Sequence, residues 1–137
     1  MERTEFVELL NGDLELEYQS IVQYINHIAT ASGAEFLNIV DELKVHVGQE
    51  LRHAQILAEQ ISFLGGEPAT TIGQVIRSAD TKSALQADLT LEKDQLKRYR
   101  ERFAQANDLG LPDVAEALRP LLEQTQEHVR DLQAALD

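Results

Sequence analysis

The feature that most constrains the fold is the placement of a few glycines and prolines between four helix-length segments. The chain has 137 residues but only seven Gly and three Pro. The intervening segments are rich in Leu, Ala, Glu and Gln, which favour helix, and show no strand-like alternation. We predict helix A over about 4–30, B from about 34 to Gly65-Gly66, C over about 81–107, and D from about 112 onward. Thr4 is a predicted N-cap, Pro112 lies in the first turn of helix D, and Pro120 should bend that helix.

The lengths of the connections predict how these helices are arranged. The links between A and B and between C and D are short, so each pair should form an antiparallel hairpin. About 16 residues, from Gly65 to Asp80, separate B from C, and at roughly 3.3 Å per residue they could reach on the order of 50 Å. This exceeds the length of a helix of about 28 residues. Helix C is therefore expected to run parallel to B, in an all-α four-helix bundle of two antiparallel hairpins joined by a long crossover.

The charge balance and the lack of cysteine limit the ligands of such a bundle. With 24 acidic and 12 basic residues the formal net charge is −12. This charge disfavours nucleic acid and anionic membranes and makes cations more natural partners, although much of it serves solubility. Without cysteine, a metal would be held by oxygen and imidazole. No segment resembles a membrane span or a secretion signal, so we expect a single cytoplasmic domain over residues 1–137.

Polar residues interrupt the apolar stripe of each predicted helix near its middle. They are Glu17 in helix A, Glu50 and His53 in B, Glu92 in C, and Thr125 and His128 in D. In antiparallel hairpins these positions converge on one level of the core. Isolated buried carboxylates are costly, and no Lys or Arg occupies the stripes at this level. Bound cations are therefore the simplest compensation, and a Glu and a His three residues apart on one helix could grip the same ion.

The spacing of these residues indicates that the two hairpins are a pseudo-repeat. His53 follows Glu17 by 36 residues, and His128 follows Glu92 by 36. Glu50 follows Glu17 by 33 residues, and the same step from Glu92 reaches position 125, where the repeat predicts Glu and the chain has Thr. A single Glu or His in a stripe is more often an ordinary boundary residue. Five such residues at one depth with equal spacing favour a metal site.

The sequence around these positions resembles the ferritin-like di-iron carboxylate family, and most closely the bacterioferritins. The likeness spans nearly the whole chain, through Leu10-Asn11 to Glu17 with Tyr24 and His27, Glu50-Leu-Arg-His53 with Ser62-Phe-Leu-Gly-Gly, Asp88-Leu-Thr-Leu-Glu92, and Glu127-His128-Val129. It implies a ferritin-like bundle with a pair of non-haem iron ions. Glu17 and His53 would lie toward one ion, Glu92 and His128 toward the other, and Glu50 would bridge them.

The resemblance also implies a reaction, in which the site oxidises Fe(II) with dioxygen or peroxide. Tyr24 matches a tyrosine beside the site, where its implied role is hydrogen bonding to a ligand; the alternative is an ordinary core aromatic. Thr125 stands where the family has its second bridging Glu. Three carboxylates then face four positive charges, so a hydroxide or small anion could occupy the vacant bridge, or one metal could be lost or bound weakly.

Other positions also depart from the family pattern. Leu51 stands where bacterioferritins have a haem-ligating Met, so we expect no haem. The sequence ends with helix D, without the short fifth helix of shell-forming members, so the resemblance leaves open whether a 24-subunit shell forms. His46, one turn before Glu50, is a candidate additional ligand, but a boundary histidine is the favoured interpretation.

Three functions remain open on the sequence alone. The leading one is oxidation of Fe(II) at a modified di-iron site for iron storage or detoxification. The second is non-catalytic binding or buffering of a divalent metal at a mononuclear or asymmetric site, and the third is a metal-free structural role. By analogy with the family, the default assembly is a homodimer through helices A and B.

Overall fold

Four helical segments form the bundle in the computed structural model, which describes residues 1–137. Helix α1 spans Arg3–Thr30, a 3₁₀ turn spans Ala34–Phe36, α2 spans Leu37–Phe63 and α3 spans Thr81–Asp108. The fourth segment is divided into α4, Pro112–Ala117, and α5, Arg119–Leu136. The predicted all-α four-helix bundle is thus confirmed. None of the helices combines the length and the apolar character needed to cross a membrane.

Contacts between helices confirm the predicted topology. Helix α1 packs against α2 and α3, and α5 packs against the same two helices. Helices α1 and α3 are antiparallel, because Tyr24 contacts Glu92 while Asp13, earlier in α1, contacts Arg102, later in α3. The short link after α1 makes α2 antiparallel to α1 as well. Helices α2 and α3 are therefore parallel, and the connection between them returns along the length of the bundle.

The long connection lies along α1 and is bound to it at several levels. The side chain of Asn11 donates to the carbonyl of Glu67 at 2.9 Å and accepts from the N–H of Ala69 at 2.8 Å. Near the other end, the N–H of Ile76 donates to Gln23 at 2.9 Å. Between them Gly73 passes so close to α1 that a Cβ there would overlap the side chain of Gln19. Some backbone groups of the connection have no hydrogen-bond partner within the connection, and side chains of α1 bind them instead.

The helix ends differ from the sequence prediction in three places. Thr4 is not an N-cap: the extended backbone of Glu2 precedes a helix that already begins at Arg3, and no side chain caps it. The first turn predicted for helix B is 3₁₀ and not α. Instead of the bend predicted at Pro120, the helix is broken at Leu118, between α4 and α5. Pro120 has no N–H to donate to the carbonyl of Glu116.

Two apolar clusters fill the bundle on either side of a central polar layer. One contains Phe6, Leu57 and Leu118, and the other contains Leu43 and Leu85, with every one of these side chains at most 1% exposed. The polar layer therefore has a cluster of buried apolar side chains on each side of it.

Candidate metal centre

The five predicted ligands meet in the polar layer at the middle of the bundle. Each is at most 1% exposed. Their ligand atoms form two sets, within each of which all atoms lie no more than 4.8 Å apart: Glu17 with Glu50 and His53, and Glu50 with Glu92 and His128. Glu50 belongs to both sets. The arrangement therefore offers two neighbouring cation positions that share one carboxylate.

The two histidines present the same ring nitrogen to the carboxylates. His53 Nδ1 lies 3.5 Å from Glu17 Oε1 and 3.5 Å from Glu50 Oε2. His128 Nδ1 lies 2.9 Å from Glu50 Oε1 and 3.3 Å from Glu92 Oε1. Three-residue spacing on α2 brings Glu50 and His53 together, while the antiparallel packing of α3 and α5 brings Glu92 to His128. Each oxygen of Glu50 thus faces a different histidine.

Two buried tyrosines donate hydrogen bonds to the outer carboxylates. Tyr24 Oη donates to Glu92 Oε1 at 2.6 Å, which is the bond expected between Tyr24 and a candidate ligand. Tyr99 Oη donates to Glu17 Oε1 in the same way. Burial, followed by the charge of nearby carboxylates, raises the pKa of both phenols well above 10, so both remain protonated donors.

Tyr99 is a site residue that the sequence reasoning missed. In the sequence it reads as one more apolar residue of the helix C stripe. Yet Tyr99 follows Tyr24 by 75 residues, just as Glu92 follows Glu17 and His128 follows His53. This step, applied to every residue near the site, would have paired the two tyrosines.

Two glutamines bind the outer nitrogens of the histidine rings. His53 Nε2 lies 2.7 Å from Gln124 Oε1, and His128 Nε2 lies 2.6 Å from Gln49 Oε1. Gln124 also follows Gln49 by 75 residues. The sequence reasoning did not identify either glutamine.

The acidic groups of the centre have no basic side chain other than histidine as an ion-pair partner. Burial and the adjacent charges of Glu17 and Glu92 raise the pKa of Glu50 well above its ordinary value. Burial also raises the pKa of Glu92, but hydrogen bonds, first that of His128, outweigh this and lower it to about 2. Burial lowers the pKa of His53, but the hydrogen bond and charge of Glu17, followed by contributions from Gln124 and Glu92, outweigh burial and the net shift is upward. The metal-free centre therefore retains protons that a bound cation would displace.

The donor atoms of the centre fit a divalent transition metal. Glu17 Oε2, Glu50 Oε2, Glu92 Oε2 and His53 Nδ1 are buried and have no hydrogen-bond partner. Buried polar atoms are rarely left without partners. Carboxylate oxygen combined with imidazole nitrogen suits iron, manganese or zinc.

Thr125 lies at the position where the repeat predicts a carboxylate. It is fully buried, and its Oγ1 has no hydrogen-bond partner. Gln95 Nε2 is a second buried polar atom without a partner. The neighbouring acidic residues of α5, Glu123 and Glu127, are exposed. No carboxylate of α5 therefore joins the two ligand sets.

His46 lies beside the centre and outside both ligand sets. Its ring stacks on that of His128 with 4.0 Å between centroids, and its Nε2 lies 3.1 Å from Asp131 Oδ2. His46, Glu42 and Asp131 form a separate group in which Glu42 is exposed. His46 thus contacts a candidate ligand, and its Nδ1 is buried without a hydrogen-bond partner.

A buried acid–base pair lies on each side of the centre. Arg102 Nε donates to Asp13 Oδ2 at 2.9 Å, and His27 Nδ1 lies 2.8 Å from Asp88 Oδ2. The 75-residue step relates Asp13 to Asp88 and His27 to Arg102. Burial raises the pKa of Asp13 to about 6, although Arg102 opposes the shift. Burial lowers the pKa of His27, but its bonds to Asp88 produce a net rise.

Known proteins share this sequence pattern and this fold. The family model of the ferritin-like domain matches residues 7–137. The bacterioferritin of Desulfovibrio desulfuricans is 25% identical over 128 residues, which cover 93% of this chain and 72% of that protein. The bacterioferritin of Streptomyces coelicolor is 27% identical over 137 residues, which cover 97% of this chain and 80% of that protein.

Solved structures give the same result. The structure of ferritin-like, diiron-carboxylate proteins from Bacillus anthracis matches with a TM-score of 0.93 and 30% identity, covering 100% of both chains. That of BfrA from Mycobacterium tuberculosis matches with a TM-score of 0.86 and 24% identity, covering 98% of this chain and 84% of that one.

Proposed function

Since the chain belongs to the ferritin-like family and is close to the bacterioferritins, we propose that it binds two iron ions in the polar layer and oxidises Fe(II) there. Dioxygen or peroxide is the proposed oxidant, and iron storage or detoxification the purpose. The observation that carries this proposal is the position of Glu50. Its Oε1 faces His128 Nδ1 at 2.9 Å and its Oε2 faces His53 Nδ1 at 3.5 Å, as a carboxylate shared by two ions would.

Bound iron supplies the electrons that reduce the oxidant, and carboxylate ligands favour the ferric product. The protein would hold the two ions and orient the side chains that bind them. Each tyrosine occupies Oε1 of its carboxylate, on Glu92 or Glu17, while Oε2 of the same group has no partner and is available to an ion. The apolar clusters on both sides exclude water, which strengthens the electrostatic interactions within the layer.

Thr125 gives the proposed centre its asymmetry. Glu17, Glu50 and Glu92 would leave about one net positive charge on two divalent ions. A hydroxide or small anion at the vacant bridge would neutralise it, with Thr125 Oγ1 available as a hydrogen-bonding group. We propose that this exchangeable position makes the second ion the more weakly bound.

The substitution Thr125→Glu tests this proposal. It should raise the affinity for the second ion and the rate of Fe(II) oxidation, measured as iron per chain after anaerobic loading and as oxygen consumed after Fe(II) is added. Thr90→Glu is the matched control, because Thr90 is exposed on α3 and gains the same charge away from the centre. Unchanged stoichiometry and rate in the Thr125 variant would contradict the assigned bridge position.

Non-catalytic binding of a divalent metal is the second candidate function. The missing carboxylate at Thr125 favours it, because one ion could then be held in a stable but slow site. A wild-type chain that holds one slowly exchanging ion and consumes no oxygen would support this alternative. A chain that binds no ion would exclude both functions and leave a structural role.

We also propose an antiparallel homodimer through α1 and α2, the assembly suggested by analogy with the family. Both helices expose apolar side chains, among them Ile25 at 54%, Val45 at 55% and Leu51 at 53%. Sedimentation analysis of Ile25→Lys and Leu51→Lys should show dissociation. A wild-type monomer, or variants that remain dimeric, would disprove this interface.

A further inference from the structure

We infer that Gln49 and Gln124 are positioning residues, which hold the two candidate ligand histidines in the tautomer whose Nδ1 is free to bind a metal ion. This inference rests on the proposed function, because the residues they position are the predicted ligands.

The hydrogen bonds to the glutamines fix which ring nitrogen carries the proton. Gln124 Oε1 lies 2.7 Å from His53 Nε2, and Gln49 Oε1 lies 2.6 Å from His128 Nε2. An amide oxygen only accepts hydrogen bonds, so each Nε2 must be the donor. A neutral imidazole carries a single N–H, and its proton on Nε2 leaves the lone pair on Nδ1.

Nδ1 of each ring faces the carboxylate cluster. His128 Nδ1 lies 2.9 Å from Glu50 Oε1, so a neutral ring with its proton on Nε2 accepts a hydrogen bond here from the protonated Glu50 carboxyl group. His53 Nδ1 is buried, lies 3.5 Å from Glu17 and Glu50, and has no hydrogen-bond partner. In the other tautomer, Nδ1–H would donate to these carboxylates and occupy the atom that a metal needs. Without the glutamines that competing tautomer would be favoured, because it pairs a donor with an acceptor.

The glutamines also connect the two helices that supply the histidines. Gln49 adjoins Glu50 on α2 but binds His128 on α5, while Gln124 adjoins Thr125 on α5 but binds His53 on α2. Each of these two helices therefore carries a glutamine that orients the candidate ligand histidine of the other helix. Histidine ligands often donate their outer N–H to a carboxylate; a neutral amide supplies the same acceptor without adding a fourth negative charge to the buried centre.

Nitrogen NMR of the metal-free protein, labelled with ¹⁵N-histidine, tests the tautomer directly. In their neutral form, both rings of the wild type should show the Nε2–H pattern of chemical shifts. Gln124→Leu should convert His53 to the Nδ1–H form and leave His128 unchanged. Gln49→Leu should have the converse effect.

Binding of Co(II), a spectroscopic substitute for Fe(II), measures the consequence for the centre. Each Leu variant should lose about 10–100-fold in affinity. Gln124→Glu and Gln49→Glu retain the acceptor and should keep the wild-type tautomer and bind Co(II) at least as tightly. Gln126→Leu and Gln55→Leu are matched controls at exposed positions of α5 and α2, where no effect is expected.

The outcomes separate this inference from the proposed function. Unchanged tautomers in the Leu variants would overturn the positioning role, even if the wild type binds metal. If a Leu variant does not fold, a changed tautomer in the corresponding Glu variant would overturn it equally. A wild-type chain that binds neither Co(II) nor Fe(II) would instead overturn the proposed function, whatever the tautomers show.

Discussion

Replacing Arg102 with leucine would leave the buried carboxylate of Asp13 without its main partner. Arg102 is 2% exposed and Asp13 is 1% exposed, and they are 2.9 Å apart. Removing one member of a buried ion pair costs about 3–5 kcal/mol, because the other charge stays in the core. Arg98, 3.7 Å from Asp13 and partly exposed, remains as a weaker partner. We therefore expect a loss near the lower end of this range at pH 8.

The loss should depend on pH, because protonation removes the charge of Asp13. Its pKa is about 6 in the folded chain, against an ordinary value of 3.8. When the pKa of a carboxyl group is raised by folding, the free energy of unfolding falls as pH rises between the unfolded and folded values. A shift of about two units corresponds to about 3 kcal/mol. Without Arg102 the folded pKa rises further, so the decline continues above pH 6.

Urea denaturation of the metal-free protein at pH 5 and pH 8, followed by circular dichroism, measures both effects. Arg102→Leu should cost about 3 kcal/mol at pH 8 and less than half of that at pH 5. The double variant Asp13→Asn, Arg102→Leu should recover much of the loss at pH 8, since its amide cannot ionise. An equal cost at both pH values, or no recovery in the double variant, would refute the reasoning.

Three further substitutions have defined outcomes. His27→Ala removes the partner of Asp88 and should lower the free energy of unfolding by about 2 kcal/mol in urea titrations. Folding raises the pKa of His27. The stabilisation by His27 is therefore complete below pH 6.5 and is lost as the pH rises through the pKa of His27 in the folded chain. Glu50→Gln should weaken the binding of both ions and reduce the number of protons released on metal binding, because the pKa of Glu50 is raised. Calorimetry in buffers of different ionisation enthalpy counts those protons. Unchanged proton release would contradict the assignment of Glu50 as a ligand. Tyr24→Phe should reduce Co(II) affinity about tenfold, as loss of a hydrogen bond to the Glu92 carboxylate implies. Unchanged affinity would show that this bond does not orient the ligand.

The sequence was sufficient for the topology and for bringing the five candidate ligands to one level of the core, because both depend on simple distances along the chain. The long connection admits only a return along the bundle. Glu17, Glu92 and their histidines stand out because charge in a core stripe is costly. The start of helix α1 was misjudged because Thr4 is a good cap by type, whereas the backbone of Glu2 already allows the helix to begin at Arg3.

Other parts of the centre depend on contacts between helices, which sequence periodicity does not report. Tyr99 fits an apolar stripe whether or not its hydroxyl has a partner. Gln49 and Gln124 are half-buried, and their residue type is common on helix surfaces. Their importance follows from the relative rotation of α2 and α5, which sets each amide against a ring on the opposite helix.

The sharing of Glu50 makes the two proposed ion positions thermodynamically coupled. The first cation to bind would fix the orientation of Glu50 and draw on its negative charge, so the second would meet a changed ligand. Such a coupling free energy is reciprocal: a change beside His128 that alters how one ion influences the other must act equally in both directions. Two unequal steps in a metal titration would therefore contain this coupling as well as the asymmetry introduced by Thr125.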